Sequence, residues 1–354
     1  MRNRVDEAVR TLTPGYFALV MATGIVSIGL NLEGYRVASV VLFGLAGIAY
    51  VKLIVLNVWR FFAHRGAMID DFRDPRRAFG FFTFVAGTDV LGARAAAEGW
   101  YGLTAVLLTV AGLAWVVMGY VIPWSAVLGH EERPVIAGAN GTWFIWVVAS
   151  QSVAVAAASI EPVFPNARQG LAIVAVLSWS VGIFLYAATA IFVSLRLMLY
   201  PLVPRDINPP YWVAMGAVAI TVVAGARIVE METAPMADAV RGLVAGASVV
   251  FWCFATWLIP VLVAMGWWRH RVHKIPLTYE ATLWSIVFPL GMYSVASIYL
   301  GRADHLPIVE LIGAWWLWVA VTAWVLTFAA MIRDVVVTIV RPPAPTAHAA
   351  SGII

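Results

Sequence analysis

Eight stretches of this chain contain no Asp, Glu, Lys or Arg: residues 11–32, 99–129, 134–160, 169–195, 207–226, 242–268, 281–301 and 311–332. A bilayer core about 30 Å thick is crossed by roughly 20 apolar residues at a rise of 1.5 Å each. Each stretch is therefore long enough to span as a helix, and far too long for a membrane β-strand of about 10 alternating residues. Two further apolar stretches, 37–63 and 77–98, fit the same spacing; Lys52 interrupts the first, and Asp89 and Arg94 the second. The expected fold is an all-α membrane protein of ten transmembrane helices, grouped by short loops into five consecutive hairpins. A single domain covers residues 1–340, and a Pro/Ala-rich flexible cytoplasmic tail follows at 341–354. With 62% hydrophobic residues and 12% charged, a soluble fold would have a largely apolar surface.

The basic residues set the orientation. With the N-terminus inside, sixteen of the 23 Lys and Arg fall on the cytoplasmic side, against Arg36, Arg168, Arg241 and Arg302 outside, or six outside with Arg94 and Arg227. The positive-inside rule then puts both termini in the cytoplasm. The net charge of +4 reports this topology and not nucleic-acid binding. The charged start MRNRVDEAVR resembles a signal peptide, but the run after it lacks a small-x-small cleavage site and reads as a retained first span. Cys253 is the single cysteine, so no disulfide forms within the chain.

The odd-numbered spans share a start signal. Thr13-Pro14, Asp74-Pro75 and Asn208-Pro209 put a capping residue before a proline at the first helical position, and Asn140-Gly141 and Thr278 serve the fifth and ninth spans. Such N-termini favour anions through their unpaired N–H groups, although ordinary helices begin in the same way. These spans are also rich in small residues, among them Gly24, Gly87 and Gly216. Small residues either let helices pack closely in lipid or line a narrow path.

The ninth span carries WSIVFPLGMYS, with a Phe-Pro pair inside a charge-free run. Pro289 removes a backbone donor and clashes with the carbonyl of Ser285, so the helix kinks there. That freed carbonyl must be buried in protein or face water. Phe288, beside the kink, is either a core side chain or a ring projecting into whatever lies at the bundle centre.

Taken together, PGYFALVMATGIVS in the first span, NGTWFIWVVASQSVAV in the fifth and LWSIVFPLGMYSVAS in the ninth resemble the tellurite-resistance/dicarboxylate transporter family. That family includes the bacterial tellurite-resistance protein, the plant guard-cell slow anion channel, and the fungal malate permease and sulfite pump. The resemblance runs from residue 13 to about 335. It implies five hairpins around a central pore made by the odd spans, a homotrimer with one pore per subunit, and occlusion of that pore by Phe288. Where the family kinks several inner helices with proline, the third and fifth spans here have none at mid-span, and Gly87 and the Ser150/Ser152 region are the candidate flexible points.

Ionisable groups inside a membrane are costly, at some 2.5 to 3.5 kcal/mol or more each, and functional by default. Lys52 and Asp89 lie at depths differing by about 7 Å by helical rise, which suggests an ion pair; the alternative is an Asp89 that titrates and couples protons to transport. Arg94 and Arg227 either raise the local anion concentration or are neutralised by Glu98 and Glu230. The histidines, at 64, 130, 270, 273, 305 and 348, lie in predicted loops or the tail, so no cofactor or metal site is expected within the bundle. The leading functional reading is permeation of small inorganic or dicarboxylate anions through a pore gated by Phe288 and Pro289. Its candidate lining or coupling residues are Gly24, Lys52, Gly87, Asp89, Arg94, Ser150, Gly216, Arg227 and Ser285. The second reading is a proton-coupled transporter of malate, other C4-dicarboxylates or sulfite. A membrane enzyme would need a nucleophile with a base or a metal cluster, and the spans contain no histidine.

Overall fold

The computed structural model describes residues 2–129 and 133–337; the tail 341–354, His130 and His348 lie outside the described residues. Twelve α-helices follow one another among the described residues: α1 (Arg2–Arg10), α2 (Ala18–Leu32), α3 (Arg36–Ala63), α4 (Arg65–Arg73), α5 (Phe82–Ala96), α6 (Tyr101–Ile122), α7 (Phe144–Ile160), α8 (Arg168–Leu199), α9 (Val213–Val229), α10 (Pro235–Trp267), α11 (Trp284–Ala303) and α12 (Pro307–Val335). Among them, nine are long and apolar enough to cross a membrane, counting the short turns that extend them. The exceptions are α1, α4 and α5, the last of which carries Asp89 and Arg94 within 15 residues. Several spans run past the charge-free stretches, because charges at their ends pair locally. Asp238, for example, accepts from Arg241 at 2.7 Å one turn along α10.

The helices form two concentric layers. α2 packs on α5, α5 on α7, α7 on α9, α9 on α11, and α11 back on α2, which closes a ring of five. Each ring member also packs on the helix that follows it in its own hairpin: α3, α6, α8, α10 or α12. Burial separates the layers. In the spans of α2, α7, α9 and α11, 72% to 83% of residues are buried, against 11% to 33% in the outer five. All of α5 except Phe84 and Ala93 is buried, so this helix, less hydrophobic than the nine spans, belongs to the inner ring.

Close approach explains the small residues. A Cβ added at Gly216 of α9 would lie 2.8 Å from Cγ of Pro289 on α11, and one at Gly24 of α2 would lie 2.7 Å from Val90 on α5. Lipid tails are as apolar as leucine, so helices in a bilayer associate through such packing and through hydrogen bonds between them.

One set of those hydrogen bonds is cyclic: each outer helix bonds to the ring helix of the next hairpin. Tyr50 of α3 meets Thr88 of α5 at 3.0 Å, and Trp115 Nε1 of α6 donates to Ser150 Oγ of α7 at 2.9 Å. Trp179 Nε1 of α8 donates to the Thr221 carbonyl of α9 at 3.1 Å, and Trp252 Nε1 of α10 to Ser297 Oγ of α11 at 2.8 Å. Trp324 Nε1 of α12 closes the circle on Thr23 Oγ1 of α2 at 3.0 Å. Thr88, Ser150 and Ser297 hand their own protons to the carbonyl one turn back, at 2.7, 3.1 and 2.8 Å. That leaves each oxygen free to accept the neighbour's N–H or O–H.

All five ring helices begin with a short 3-10 turn: Pro14–Phe17, Ala78–Phe81, Gly141–Trp143, Pro209–Trp212 and Ala281–Leu283. The side-chain caps expected there are mostly different in fact. Asn140 does cap, accepting from the Thr142 amide at 2.8 Å. Thr13 and Asn208 are extended, without a side-chain cap. Asp74 instead shapes the preceding turn through the Arg76 amide at 2.9 Å, and Glu280, not Thr278, precedes the last turn. Proline at the first position needs no partner for an N–H it lacks, which makes the cap dispensable at Pro14 and Pro209.

Because the Trp324 bond joins the last hairpin to the first, Trp324→Phe should lower stability by about 0.6 to 1.7 kcal/mol, the range for hydrogen bonds between membrane helices. Reversible unfolding in mixed micelles checks this, with Trp318→Phe, an exposed neighbour on α12, expected to change little.

Candidate functional site

Two cavities lie at opposite ends of the ring, and all five ring helices contribute to each. One, of about 150 Å³, is bounded by the starts of the ring helices, with Gly15, Arg77, Thr142, Pro210 and Ser285 among its lining residues. The other, of about 180 Å³, is bounded by their later turns, with Ile25, Asp89, Ser152, Arg227 and Met292 in its wall. α5 with the turn that opens it reaches both, through Gly80 of the turn at one end and Ala96 at the other.

Helical periodicity identifies what separates them. On α11, Ser285 lines the first cavity, and Met292, Val295 and Tyr299 line the second. Phe288 falls three residues after Ser285 and four before Met292, so it occupies the same face of the helix. Seven residues, about 10 Å of helix, separate the two cavities along this face. Phe288 stands in that gap and is 1% exposed. Its neighbour Pro289 sits against Gly216, which seats the α11 backbone on α9 at the same level.

The starts of five helices border the first cavity, and their dipoles sum toward this end. Part of their N–H set is absent or already engaged: Pro14, Pro209 and Pro210 carry none, and the Ala78 and Thr142 amides donate to the Asp74 carbonyl and to Asn140 Oδ1. Arg77 is neutralised by Asp71 at 2.6 Å, which also takes Arg60 at 2.7 Å. Arg76 is exposed and makes no ion pair among the described residues. Asn140, Thr142, Asn208 and Thr282 supply neutral polar groups.

The second cavity is polar on one side only. Asp89, 1% exposed, accepts from Ser152 Oγ at 3.0 Å through one oxygen, while its other oxygen has no hydrogen-bond partner. Arg227 stands at the mouth, paired with Glu230 at 2.9 Å and lying over the Tyr299 ring at 5.4 Å. Asn31, Tyr101 and Ser159 complete the polar wall.

Several sequence candidates lie elsewhere. The expected Lys52–Asp89 pair does not form, because Lys52 is exposed on the outer side of α3. Tyr50 of the same helix does reach Thr88, next to Asp89; two residues on, a side chain has turned about 200° and faces away. Arg94 lines neither cavity. It is fully buried among α2, α3 and α5, donating to Ser27 at 2.9 Å, Ser39 at 2.9 Å and Glu98 at 2.8 Å, with its guanidinium 5.1 Å from the Phe43 ring centre. Ser150 faces α6 as the acceptor for Trp115. Gly24 and Gly216 fill helix contacts, and Gly87 faces Phe17 and Val20 of α2. Asp89, Arg227 and Ser285 do line the axis cavities. Sequence reasoning missed Ser152 as the partner of Asp89, although its place seven residues before Ser159 and seven after Ile145 puts all three on one face.

The family profile described as SLAC1, voltage-dependent anion channel, matches residues 11–332. An uncharacterized membrane protein of Mycobacterium tuberculosis is 63% identical over 158 residues, which is 45% of this chain and 80% of that one. An uncharacterized transporter of Methanocaldococcus jannaschii is 23% identical over 331 residues, covering 91% and 92% of the two chains. A sulfite efflux pump of Arthroderma otae is 23% identical over 353 residues, covering 91% and 90%.

Beyond the end of α5, the hydrogen bond from Arg94 holds the Glu98 carboxyl below its ordinary value. A lowered folded-state value adds stability that is fully present above the ordinary glutamate pKa of about 4.3 and is lost as pH falls through the folded value. Glu98→Gln, which keeps an acceptor oxygen but removes the negative charge beside Arg94, should therefore cost up to about 1 kcal/mol at neutral pH. The gap between wild type and variant should close as pH falls through the folded value, read by thermal melts from neutral to acid pH.

Proposed function

We propose, from the premise that the chain belongs to the SLAC1 family of voltage-dependent anion channels, that it passes small anions along the axis of its five-helix ring past a closed gate at Phe288. The observation that carries this reading is the placing of two axial cavities, each walled by all five ring helices, on either side of the Phe288 level. In this reading α5, with the turn that opens it, counts as the tenth crossing, since the two ends of this stretch reach the two opposite cavities. The positive-inside bias puts the cavity at the helix starts in the cytoplasm. The resemblance alone supports a homotrimer with one conduit per subunit.

The mechanism follows from the walls. Anions concentrate at the cytoplasmic cavity in the field of five helix starts and Arg76, without a tight site that would slow release. The path is then blocked by one ring rather than by a binding step. A fully buried Phe side chain is worth about 1.5 to 3 kcal/mol relative to an exposed one, so swinging it aside limits opening by between about tenfold and a hundredfold. Phe288→Ala should raise anion current in planar bilayers by a factor in that range. Unchanged current would remove the gate from the account. A reversal-potential series over chloride, nitrate, malate and sulfite, with a cation control, ranks the substrates; the sulfite efflux pumps among the relatives favour a small oxyanion.

One observation favours a second reading, in which proton movement accompanies the anion. Asp89 faces the second cavity with an unpartnered oxygen, where a carboxylate repels anions and its protonated form does not. In liposomes, coupled flux should rise with an inward proton gradient, and Asp89→Asn should abolish that dependence. Flux that follows only the anion's own gradient in both proteins selects the passive channel.

A further inference from the structure

A third cavity, of about 280 Å³, lies off the ring axis on the side of the helix starts. It is enclosed by the first turn of α9, the last turns of α10 and the segment 276–286 leading into α11. Its walls are mostly apolar, with Trp212, Leu262, Leu283 and Ile286 among them. Val263 and Leu277 belong both to this wall and to the outer surface, at 54% and 74% exposure, so the cavity opens where the bilayer would lie.

One group in this wall has no structural explanation. Arg269 is 9% exposed and lines the cavity, and its Nη1 donates to the Ile207 carbonyl at 2.6 Å. Its Nε has no acceptor, and among the described residues no carboxylate pairs with it. Glu280, the acid in the same wall, is exposed and accepts from Thr282 at 3.2 Å. Burying a guanidinium without a counter-ion is expensive. The same wall holds a complementary defect: Asn208, which lines both this cavity and the one at the helix starts, has a buried Oδ1 with no donor. A ligand that satisfies both must carry an acid oxygen for Arg269 and a hydroxyl for Asn208, with an apolar portion for the rest. Two and five residues after Arg269, Arg271 and Lys274 are exposed cations, and basic residues at a membrane surface attract anionic lipid at about 1 kcal/mol each. His270 is engaged with the Ile275 carbonyl at 2.8 Å.

We propose that this cavity is a binding site for a hydroxyl-bearing anionic phospholipid, its phosphate on Arg269, its head-group hydroxyl on Asn208 and the start of an acyl chain along Leu262, Leu283 and Ile286. The site stands whether or not the ring conducts, because it lies off the axis. Occupied, it joins the end of α10 to the segment that enters α11, two residues short of Phe288.

The test titrates dioleoyl phosphatidylglycerol, dioleoyl phosphatidylcholine and inorganic phosphate into the purified full chain in detergent, reading thermal stability and retained lipid by native mass spectrometry. Phosphatidylglycerol is expected to bind roughly fivefold tighter than phosphatidylcholine, the factor matching one basic contact of about 1 kcal/mol. That preference should vanish in Arg269→Gln and persist in Arg271→Gln. Should Arg269→Gln fail to fold, Leu283→Trp fills the apolar groove with Arg269 intact and is expected to lose the lipid while melting as a folded protein. An equal shift from inorganic phosphate, a preference that survives both Arg269→Gln and Leu283→Trp, or one that Arg271→Gln removes as fully as Arg269→Gln does, would overturn the proposal.

Discussion

Closure of the five-helix ring is the constraint on which the other features rest. In lipid, an apolar face gains little by turning inward, so the ring must be held by contacts that lipid cannot supply. Two kinds are present. Backbones approach where Gly24 and Gly216 leave room, and each outer helix reaches forward to hydrogen-bond the next hairpin's ring helix, from Tyr50 on Thr88 round to Trp324 on Thr23. The second arrangement ties every hairpin to its successor and the last to the first. It also gives the indoles of Trp115, Trp179, Trp252 and Trp324 a buried structural role distinct from the interfacial belt.

A closed ring with parallel members has two unlike ends, and function grows from that asymmetry. At one end stand five helix starts. At the other, Asp89, Ser152 and Arg227 face one cavity. Between them on α11 lies Phe288, buried, on the helix face that carries Ser285 of one cavity and Met292 of the other. A carboxylate and an arginine both line the cavity at the later turns, while the cavity at the helix starts has backbone dipoles around it, which do not titrate.

Much of this was legible in the chain. Charge-free runs and short loops gave hairpins, while the inner ring of odd spans was expected only from the family resemblance, since small residues and a Phe-Pro pair fit packing as well as a path. Rotation about helix axes was not legible. Tyr50 reaches Thr88 beside Asp89 while Lys52, two residues on, faces away, Arg94 belongs to a buried contact with Ser27 and Ser39 on α2 and α3, and Ser150 faces α6 while Ser152 faces the axis. One residue of error in register moves a side chain by 100°, and a uniformly apolar ring helix offers no polar stripe from which to set it. The cyclic hydrogen bonds were hidden for a related reason: they join residues 35 to 301 positions apart, and only the packed ring pairs them.

The central claim is that one water-accessible axis is divided at Phe288, and cysteine accessibility measures it directly. With exposed Cys253 replaced by alanine, single cysteines at Ser285 and Val295 are challenged from each side of a sealed vesicle with a charged, membrane-impermeant thiol reagent. The account predicts modification of the 285 thiol from the side of the helix starts alone and of the 295 thiol from the opposite side alone. Two thiols that stay unmodified from both sides would contradict it, because the face of α11 that carries Phe288 would then border no aqueous path.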